Sequence, residues 1–359
     1  MGIRKIGIIG LGVIGASLGM ALRHRVKNIQ VMGQDCDNDT ILKAFEVGAI
    51  DCLLDKKSIK ESDVIVIATP LRTIPEIIIK MKDSLKEGVI VTDVGSVKSW
   101  VMQLFTEHLP SHVTFIGGHP LAGSEKSGIT GADKFLLQNA SYVLTPDSTT
   151  SKEKLNQLED LLKMVGARVV IMEAAAHDKI AAKVSHIPHL MAATILNNFQ
   201  DEPGALSMAG GGLRDTTRIA GSNPLLWEDI LTLNAGALAD ELRNVIKYLS
   251  DCLAAADQKN GLCLRRYLEK AYNIRRNMPN IRPGLKDSLD IIAIIPDQPG
   301  FIGKIGTLLG DNDINIHDFR LLGIRDQDEG TIRITVNNRS AKKACQLLKT
   351  EGLSAWIRE

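Results

Sequence analysis

The sequence predicts an α/β protein with three successive parts, and three observations support this prediction. A short apolar run, Ile3–Ile9, leads directly into a glycine-rich turn, and strand-like runs then alternate with helical segments up to about residue 172. From residue 173 apolar residues recur at helical spacing instead. The last segment returns to short strands in the order βαββαβ. We therefore expect a parallel-sheet domain at 1–172, an all-helical domain at 173–283 and a small α+β domain at 288–359.

The composition is that of an ordinary globular protein, with 44% hydrophobic and 24% charged residues among 359 and a net charge of +1. So small a charge gives no broad field for nucleic acid or an anionic membrane. No apolar run approaches the roughly 20 residues that span a bilayer, and glycines interrupt the N-terminal run where a signal peptide would be continuous. The five cysteines are scattered, as is typical of reduced thiols. We expect a cytoplasmic protein without membrane or nucleic-acid partners.

The glycine-rich turn is typical of a Rossmann-type dinucleotide-binding domain. It lies between a strand and a helix, and a second strand follows that ends at Asp35. The first glycine permits the tight turn, the second lets a pyrophosphate approach the backbone, and the third lets the helix pack on the strand. Asp35 is placed to accept hydrogen bonds from ribose hydroxyls and to repel a 2′-phosphate, which favours NAD over NADP; the alternative is a plain strand-end residue. The predicted cofactor-binding residues of this turn are Gly10, Leu11, Gly12, Val13, Ile14 and Gly15.

Three polar residues follow the next buried-type strands. Thr69 comes after the strand at 62–68, Ser96 after the strand at 88–94, and His119 after the strand at 113–116. Ligands bind at the carboxyl ends of parallel strands, so we expect these side chains where a nicotinamide would lie. His119, between a glycine pair and a proline, is either a presented general base or a merely exposed turn residue. Ser96 is either a helix N-cap or a hydrogen-bond partner of a substrate hydroxyl.

The helical domain contains two further polar stretches. His186 and His189 are three residues apart, so they lie on neighbouring parts of one helical face, and Pro188 between them should kink the helix. Without a third ligand at a convincing spacing we predict no metal site. Arg214 and Arg218 follow three glycines and are four residues apart, which suits either a carboxylate anchor or a surface salt-bridge helix. The long apolar helical faces suggest burial against a second copy of the chain.

These motifs together resemble prephenate dehydrogenases that carry a C-terminal ACT domain. The resemblance covers essentially the whole chain. Its most specific parts are 95–98, 118–125, 177–178, 185–189 and 212–220. The tail resembles ferredoxin-like ACT modules in 296–300 and 313–316, and such modules usually pair and bind amino acids at their interfaces. The effector-binding residues that this implies are Asp297, Gln298, Gly300, Asn315 and Ile316.

The resemblance implies oxidative decarboxylation of prephenate to 4-hydroxyphenylpyruvate with reduction of NAD, in tyrosine biosynthesis and with feedback by an amino acid, most simply tyrosine. His119 would take the proton of the C4 hydroxyl, and Ser96 would hold the same hydroxyl and orient His119. Arg218 would bind a substrate carboxylate, His189 and Ser124 would complete the pocket, and Arg214 and Trp227 are further substrate-binding candidates.

Three alternatives remain at this point. An arogenate dehydrogenase would act on the amino analogue of prephenate. A phosphoglycerate dehydrogenase would share the NAD-binding and ACT parts, but it leaves 118–120 and 185–189 unexplained. A non-catalytic, NAD-binding amino-acid sensor would not need a histidine and a serine at the strand ends.

Overall fold

The computed structural model describes residues 2–123, 128–278, 287–325 and 329–358. The chain divides into two compact units, Met1–Arg265 and Arg266–Glu359. Within the described residues no helix is both long and apolar enough to cross a membrane. The predicted boundary at 172/173 lies inside the first unit and stays a prediction, and the predicted linker at 280–286 lies outside the described residues.

The first unit is built on a sheet of eight strands in the order β3-β2-β1-β4-β5-β6-β7-β8. All neighbouring pairs are parallel except β6 with β7. The central strands β4 and β5 are buried at every position, as apolar runs of this kind require when helices cover both faces. The strands are β1 Lys5–Ile9, β2 Gln30–Gln34, β3 Cys52–Leu53, β4 Val64–Ile67, β5 Ile90–Asp93, β6 Thr114–Pro120, β7 Ser141–Thr145 and β8 Arg168–Ile171.

The strand β6 corrects the expected position of His119. The expected strand ended at residue 116, whereas β6 runs to Pro120 and contains His119. Beyond Ile116 it leaves β5 and pairs with the antiparallel β7, where His119 lies opposite Val143. A Cβ at Gly118 would lie 2.5 Å from the Asp93 carbonyl oxygen, and one at Gly117 would overlap the Thr145 hydroxyl. The glycine pair is therefore required by close packing inside the sheet.

Helices cover this sheet and then continue alone. The first group is α1 Val13–Arg25, α2 Asn38–Glu46, α3 Lys56–Glu61, α4 Ile74–Met81, α5 Ser99–His108 and α6 Lys152–Met164. The second group is α7 Ala174–Ala181, α8 Ile187–Asn197, α9 Gly211–Thr217, α10 Pro224–Leu233, α11 Ala235–Asp257 and α12 Gly261–Asn277, and α12 crosses the boundary between the two units. A π-helical turn, Ala182–His186, joins α7 to α8 directly before Pro188. The predicted kink therefore takes the form of a π-helical turn, a distortion that is frequent at functional sites.

The second unit contains a four-stranded antiparallel sheet and two helices. Its elements are β9 Ser288–Pro296, α13 Phe301–Gly310, β10 Ile316–Arg325, β11 Glu329–Asn337, α14 Asn338–Thr350 and β12 Ser354–Arg358. The strand order is β10-β11-β9-β12. Alternate residues of β9 and β11, such as Ile291, Ala293, Ile332 and Ile334, are fully buried and form a separate core with Leu309 and Leu348. The predicted element order of 288–359 is therefore the observed one.

Candidate active site

The glycine-rich turn has the geometry of an anion site. Gly10 has a φ of +93°, and a Cβ on it would lie 2.5 Å from the Ala68 carbonyl oxygen. A Cβ on Gly15 would overlap the Gly10 carbonyl, whereas one on Gly12 would meet nothing within 4 Å. No side chain caps the N-terminus of α1, and its first turn carries no acidic residue. The backbone N–H groups and the positive end of the helix dipole are thus suited to a pyrophosphate.

Asp35 follows β2, and its side chain is hydrogen-bonded to the glycine-rich turn. Its carboxylate accepts hydrogen bonds from the backbone N–H of Leu11 at 2.7 Å and of Asp37 at 3.1 Å. A carboxylate has about four acceptor positions, so these bonds leave room for ribose hydroxyls. The Asp35 side chain therefore links the end of β2 to the glycine-rich turn at Leu11.

Thr69, Ser96 and His119 belong to three adjacent strands. Thr69 follows β4, Ser96 follows β5, and His119 lies in the extension of β6. Thr69 is half-buried and its hydroxyl accepts a hydrogen bond from Thr73 at 3.0 Å. Since β4, β5 and β6 are parallel neighbours, the three residues come from adjacent strands of the sheet.

A fully buried ion pair lies directly beneath this edge. The Lys98 Nζ donates to Asp93 Oδ2 at 2.5 Å and to the Gly118 carbonyl oxygen at 2.6 Å. The Asp93 carboxylate also accepts from the N–H groups of Gly95 at 2.8 Å and Gly118 at 3.0 Å. Both side chains of the pair are 0% exposed. The pair therefore fixes the backbone next to Ser96 to the backbone next to His119.

The His119 side chain belongs to a chain of three buried groups. Its Nδ1 lies 2.8 Å from Nε2 of His177, and Nδ1 of His177 lies 2.9 Å from Oδ1 of Asp178. His119, His177 and Asp178 are 9%, 3% and 4% exposed. Asp178 also accepts hydrogen bonds from the backbone N–H groups of Lys98 and Ser99, each at 2.7 Å.

Burial and hydrogen bonds together set the protonation states of His119 and Asp178. Burial lowers the pKa of His119 well below its usual value, and the neighbouring His177 and Lys98 lower it further. Burial alone would raise the pKa of Asp178, but hydrogen bonds from His177, Lys98 and Ser99 hold it below its usual value. His119 is therefore neutral and Asp178 ionised at neutral pH.

The hydroxyl of Ser96 is not a helix cap. The helix α5 begins at Ser99 with Lys98 as its N-cap residue and no capping side chain of its own. Asp178, eighty positions further on, binds the two N–H groups at this helix end instead. Ser96 is half-buried, and within the described part of the chain no group hydrogen-bonds its hydroxyl. The N-cap interpretation of Ser96 is wrong, and its hydroxyl stays available at the edge.

The two histidines of 186–189 meet Trp227. The His189 ring stacks on the Trp227 ring with centroids 3.6 Å apart, and His186 meets it edge-on at 6.1 Å. Asn234 Nδ2 lies 3.3 Å from Nδ1 of His186. Burial lowers the pKa of His186 to about 4 and also lowers that of His189. Nε2 of His186 and Nδ1 of His189 are buried without a hydrogen-bond partner among the described residues.

The remaining candidates are differently placed. Arg214 lies in α9 and Arg218 at its end, and both are exposed. The Arg214 Nε donates to the Ala209 carbonyl at 3.3 Å. Ser124 lies outside the described residues. No group of three His, Cys, Asp or Glu side chains with metal-binding geometry occurs among those that are described.

The effector candidates lie at opposite ends of the second unit's sheet, because β9 ends at Pro296 opposite Glu329, whereas β10 begins at Ile316 opposite Val336. Gly300 caps α13 with a φ of +84°, so the glycine is required there. Asp297 and Gln298 precede it, Ile316 begins β10, and Asn315 Nδ2 lies 3.5 Å from Nδ1 of His317.

Sequence reasoning did not assign roles to Asp93, Lys98, His177, Asp178 or Asn234. Each of the first four lies in or beside a motif that resembles the family, and that is the signal by which they could have been found. No sequence pattern indicates Asn234, because it is linked to the site only through a hydrogen bond from its side chain to the Asp178 carbonyl oxygen, at 2.9 Å and between two different helices.

Two family models match the chain. The model described as prephenate dehydrogenase, nucleotide-binding domain, matches residues 18–171, and the model described as prephenate dehydrogenase, dimerization domain, matches residues 173–270. The prephenate dehydrogenase of Bacillus subtilis (strain 168) is 32% identical over 347 residues, which cover 94% of each chain.

Solved structures agree with these models. The Aquifex aeolicus prephenate dehydrogenase in complex with hydroxyphenyl propionate and NAD+ is 29% identical with a TM-score of 0.72, and the match covers 77% of this chain and 99% of that one. The Synechocystis arogenate dehydrogenase is 33% identical with a TM-score of 0.67, covering 76% and 99% of the two chains. The chain therefore belongs to the prephenate dehydrogenase family.

Proposed function

We propose that this dehydrogenase converts prephenate and NAD into 4-hydroxyphenylpyruvate, carbon dioxide and NADH. The observation that carries the proposal is the neutral, buried imidazole of His119 in β6, with the half-buried Ser96 following the neighbouring strand β5. His119 lies in the first unit, which also contains the glycine-rich turn and the rings of His186, His189 and Trp227.

The cofactor is NAD. The nucleotide-binding family model covers 18–171, and the Aquifex aeolicus relative has NAD+ bound. Gly10 to Gly15 and the N-terminus of α1 would hold the pyrophosphate, Asp35 the ribose and Thr69 the nicotinamide half. Bound NAD supplies the hydride acceptor for the C4 hydrogen of the substrate.

His119 acts on the C4 hydroxyl group. Its Nε2 accepts the hydroxyl proton while the C4–H bond gives up its hydride, and a carbonyl forms at C4. The C1–carboxylate bond then breaks, its electron pair passes through the ring to the C4 oxygen, and His119 returns the proton to that oxygen. Aromatisation drives the sequence, so the protein mainly positions groups and moves one proton. Ser96 holds the C4 oxygen throughout.

The substrate is a dianion, which requires cationic and hydrogen-bonding partners. Arg218 is proposed to bind one carboxylate bidentately, with Arg214 nearby. His189, Trp227 and Ser124 complete the pocket, and the unpartnered Nδ1 of His189 is consistent with a ligand there.

We further propose that the second unit is an ACT domain that binds an amino acid, most simply tyrosine, and lowers activity. Its βαββαβ order and the strand order β10-β11-β9-β12 are those of a ferredoxin-like fold. The Aquifex aeolicus and Synechocystis chains are matched almost completely and leave about a quarter of this chain unmatched, a length similar to that of this unit. Asp297, Gln298, Gly300, Asn315 and Ile316 would contact the effector.

The chain is proposed to act as at least a homodimer. One face of α11 presents Ile246, Leu249 and Leu253, which are 60%, 49% and 62% exposed. Their spacing forms an apolar stripe, and α11 lies within the match to the dimerization model. Free cysteines at all five positions are consistent with the proposed cytoplasmic location.

The test is NADH formation by the purified protein with prephenate, with arogenate, NADP and added tyrosine as parallel assays. Rapid reduction of NAD with prephenate, slowed by tyrosine, is expected. His119→Asn should lower kcat by about 10²- to 10⁴-fold and leave NAD binding unchanged. His112→Asn is the matched control, since the His112 ring lies 3.2 Å from the Leu85 carbonyl oxygen and precedes β6, at the end of that strand away from His119.

Arogenate is the second candidate substrate, because the Synechocystis relative is an arogenate dehydrogenase at 33% identity. Activity with arogenate alone would keep the fold and the base but change the substrate. A folded protein that binds NAD and reduces it with neither compound would instead be a sensor.

A further inference from the structure

We infer that His177 and Asp178 are positioning residues that fix the tautomer of His119 and hold the transferred proton within their hydrogen-bond chain. This inference rests on the proposed function for its kinetic part, whereas the tautomer can be measured without any substrate.

The tautomer follows from the acceptor at the end of the chain. An ionised carboxylate only accepts hydrogen bonds, so Nδ1 of His177, 2.9 Å from Asp178, must carry the hydrogen. We further infer that the His177 ring is neutral, so that its Nε2 accepts a hydrogen bond; a protonated ring would donate from both nitrogens. Nδ1 of His119, 2.8 Å away, must therefore donate. This leaves Nε2 of His119 with its lone pair, which is the form that a general base requires.

The Asp178 carboxylate is held in one orientation by backbone hydrogen bonds. Asp178 is held by the backbone N–H groups of Lys98 and Ser99 at the N-terminus of α5, each at 2.7 Å. The other side of His119 is held through its neighbour Gly118, whose carbonyl accepts from Lys98 Nζ at 2.6 Å. Lys98 thus contacts both Asp178 and the residue next to His119, and all of these side chains are buried.

The same chain gives the proton a place during the reaction. When Nε2 of His119 takes the hydroxyl proton, the hydrogen on its Nδ1 can pass to Nε2 of His177. The charge then lies beside the Asp178 carboxylate instead of beside Lys98, and the reverse transfer returns the proton to the product oxygen. A buried base near a lysine is a poor place for a positive charge, and the carboxylate removes that disadvantage.

Two variants separate tautomer control from simple packing. His177→Phe keeps a ring of similar size and removes the acceptor, while Asp178 still binds Lys98 and Ser99. His177→Gln places an acceptor oxygen near the former Nε2. We expect His177→Phe to lower kcat about 100-fold with little change in the KM for prephenate. His177→Gln should recover part of that loss, and His108→Gln on the outer end of α5 is the control.

The decisive readout is the histidine tautomer, measured by ¹⁵N and ¹³C NMR on histidine-labelled protein, with the His119 signals assigned by comparison with His119→Asn. The wild-type protein should show hydrogen on Nδ1 of His119, and His177→Phe should show hydrogen shifted toward Nε2. Hydrogen on Nε2 in the wild type would overturn the inference even if every variant misfolded. A His177→Phe enzyme within threefold of wild-type kcat would overturn it too. Wild-type protein with the expected tautomer but no activity would refute the proposed function alone.

Discussion

Replacing Lys98 by methionine tests how much the site depends on its buried ion pair. The substitution keeps an unbranched side chain but removes the charge and two hydrogen bonds, to Asp93 and to the Gly118 carbonyl. Breaking a buried pair by removing one partner typically costs about 3–5 kcal/mol. Asp93 would keep its two backbone donors, Gly95 and Gly118, so we expect the lower end, about 3 kcal/mol in the free energy of unfolding.

The chain offers a matched control at the surface. Lys5 and Glu61 lie 2.6 Å apart, nearly the same distance as the buried pair, but their side chains are 38% and 44% exposed. Exposed pairs contribute about 0–1 kcal/mol. Lys5→Met should therefore change the free energy of unfolding little, and the contrast with Lys98→Met isolates the effect of burial.

Urea unfolding followed by tryptophan fluorescence is the assay. In a Trp356→Phe background the other two tryptophans, Trp100 and Trp227, both report on the first unit. A double-mutant cycle with Asp93→Asn should show a double variant that is less destabilised than the sum of the single ones. Equal costs for Lys98→Met and Lys5→Met would refute the reasoning. The kcat of Lys98→Met should also fall, because Gly118 precedes His119.

Three further predictions concern the cofactor, the substrate and pH. Asp35→Asn keeps an acceptor for the Leu11 N–H but removes the charge that repels a 2′-phosphate, so the ratio of kcat/KM for NAD over NADP should fall about tenfold, and an unchanged ratio would discredit the cofactor role. Arg218→Ala should raise the KM for prephenate about tenfold or more with little change in kcat, as loss of a charged hydrogen bond would do, and an unchanged KM would move the carboxylate anchor elsewhere. Burial lowers the pKa of His186 to about 4 in the folded state, whereas its pKa in the unfolded chain is the ordinary value near 6.5. Between these two pH values the unfolded chain therefore binds a proton that the folded state does not. Stability should fall by about 3 kcal/mol from this group as pH drops from 6.5 to 4, and a His186→Gln variant should lack that slope in urea unfolding at successive pH values.

The parts of the site that the sequence could predict are those determined locally. The turn at 10–15 follows from glycine spacing between a strand and a helix, and Asp35 follows from its place after the next strand. The order of elements in 288–359 also follows from local patterns. These features depend on residues within a few positions of one another, which is the range over which propensity and periodicity carry information.

The parts that could not be predicted depend on distant partners. The composition Gly-Gly-His-Pro favours a turn, but pairing with β7 keeps His119 in a strand. A helix normally finds its cap within its own sequence, whereas α5 is capped by Asp178 from α7. A lysine is almost never fully buried, so nothing in the sequence around Lys98 indicates its 0% exposure.

The buried and the exposed parts of the proposed site are expected to have different roles in catalysis. His119, His177, Asp178 and Lys98 are buried and joined by hydrogen bonds, so the proposed base is held in position before any substrate binds. The arginine side of the site, on α9 and its C-terminal turn, is open to solvent. We therefore expect adjustments on substrate binding to occur on that side, where the arginine side chains are exposed. Substitutions in α9 should act mainly on KM, and substitutions in the buried chain mainly on kcat.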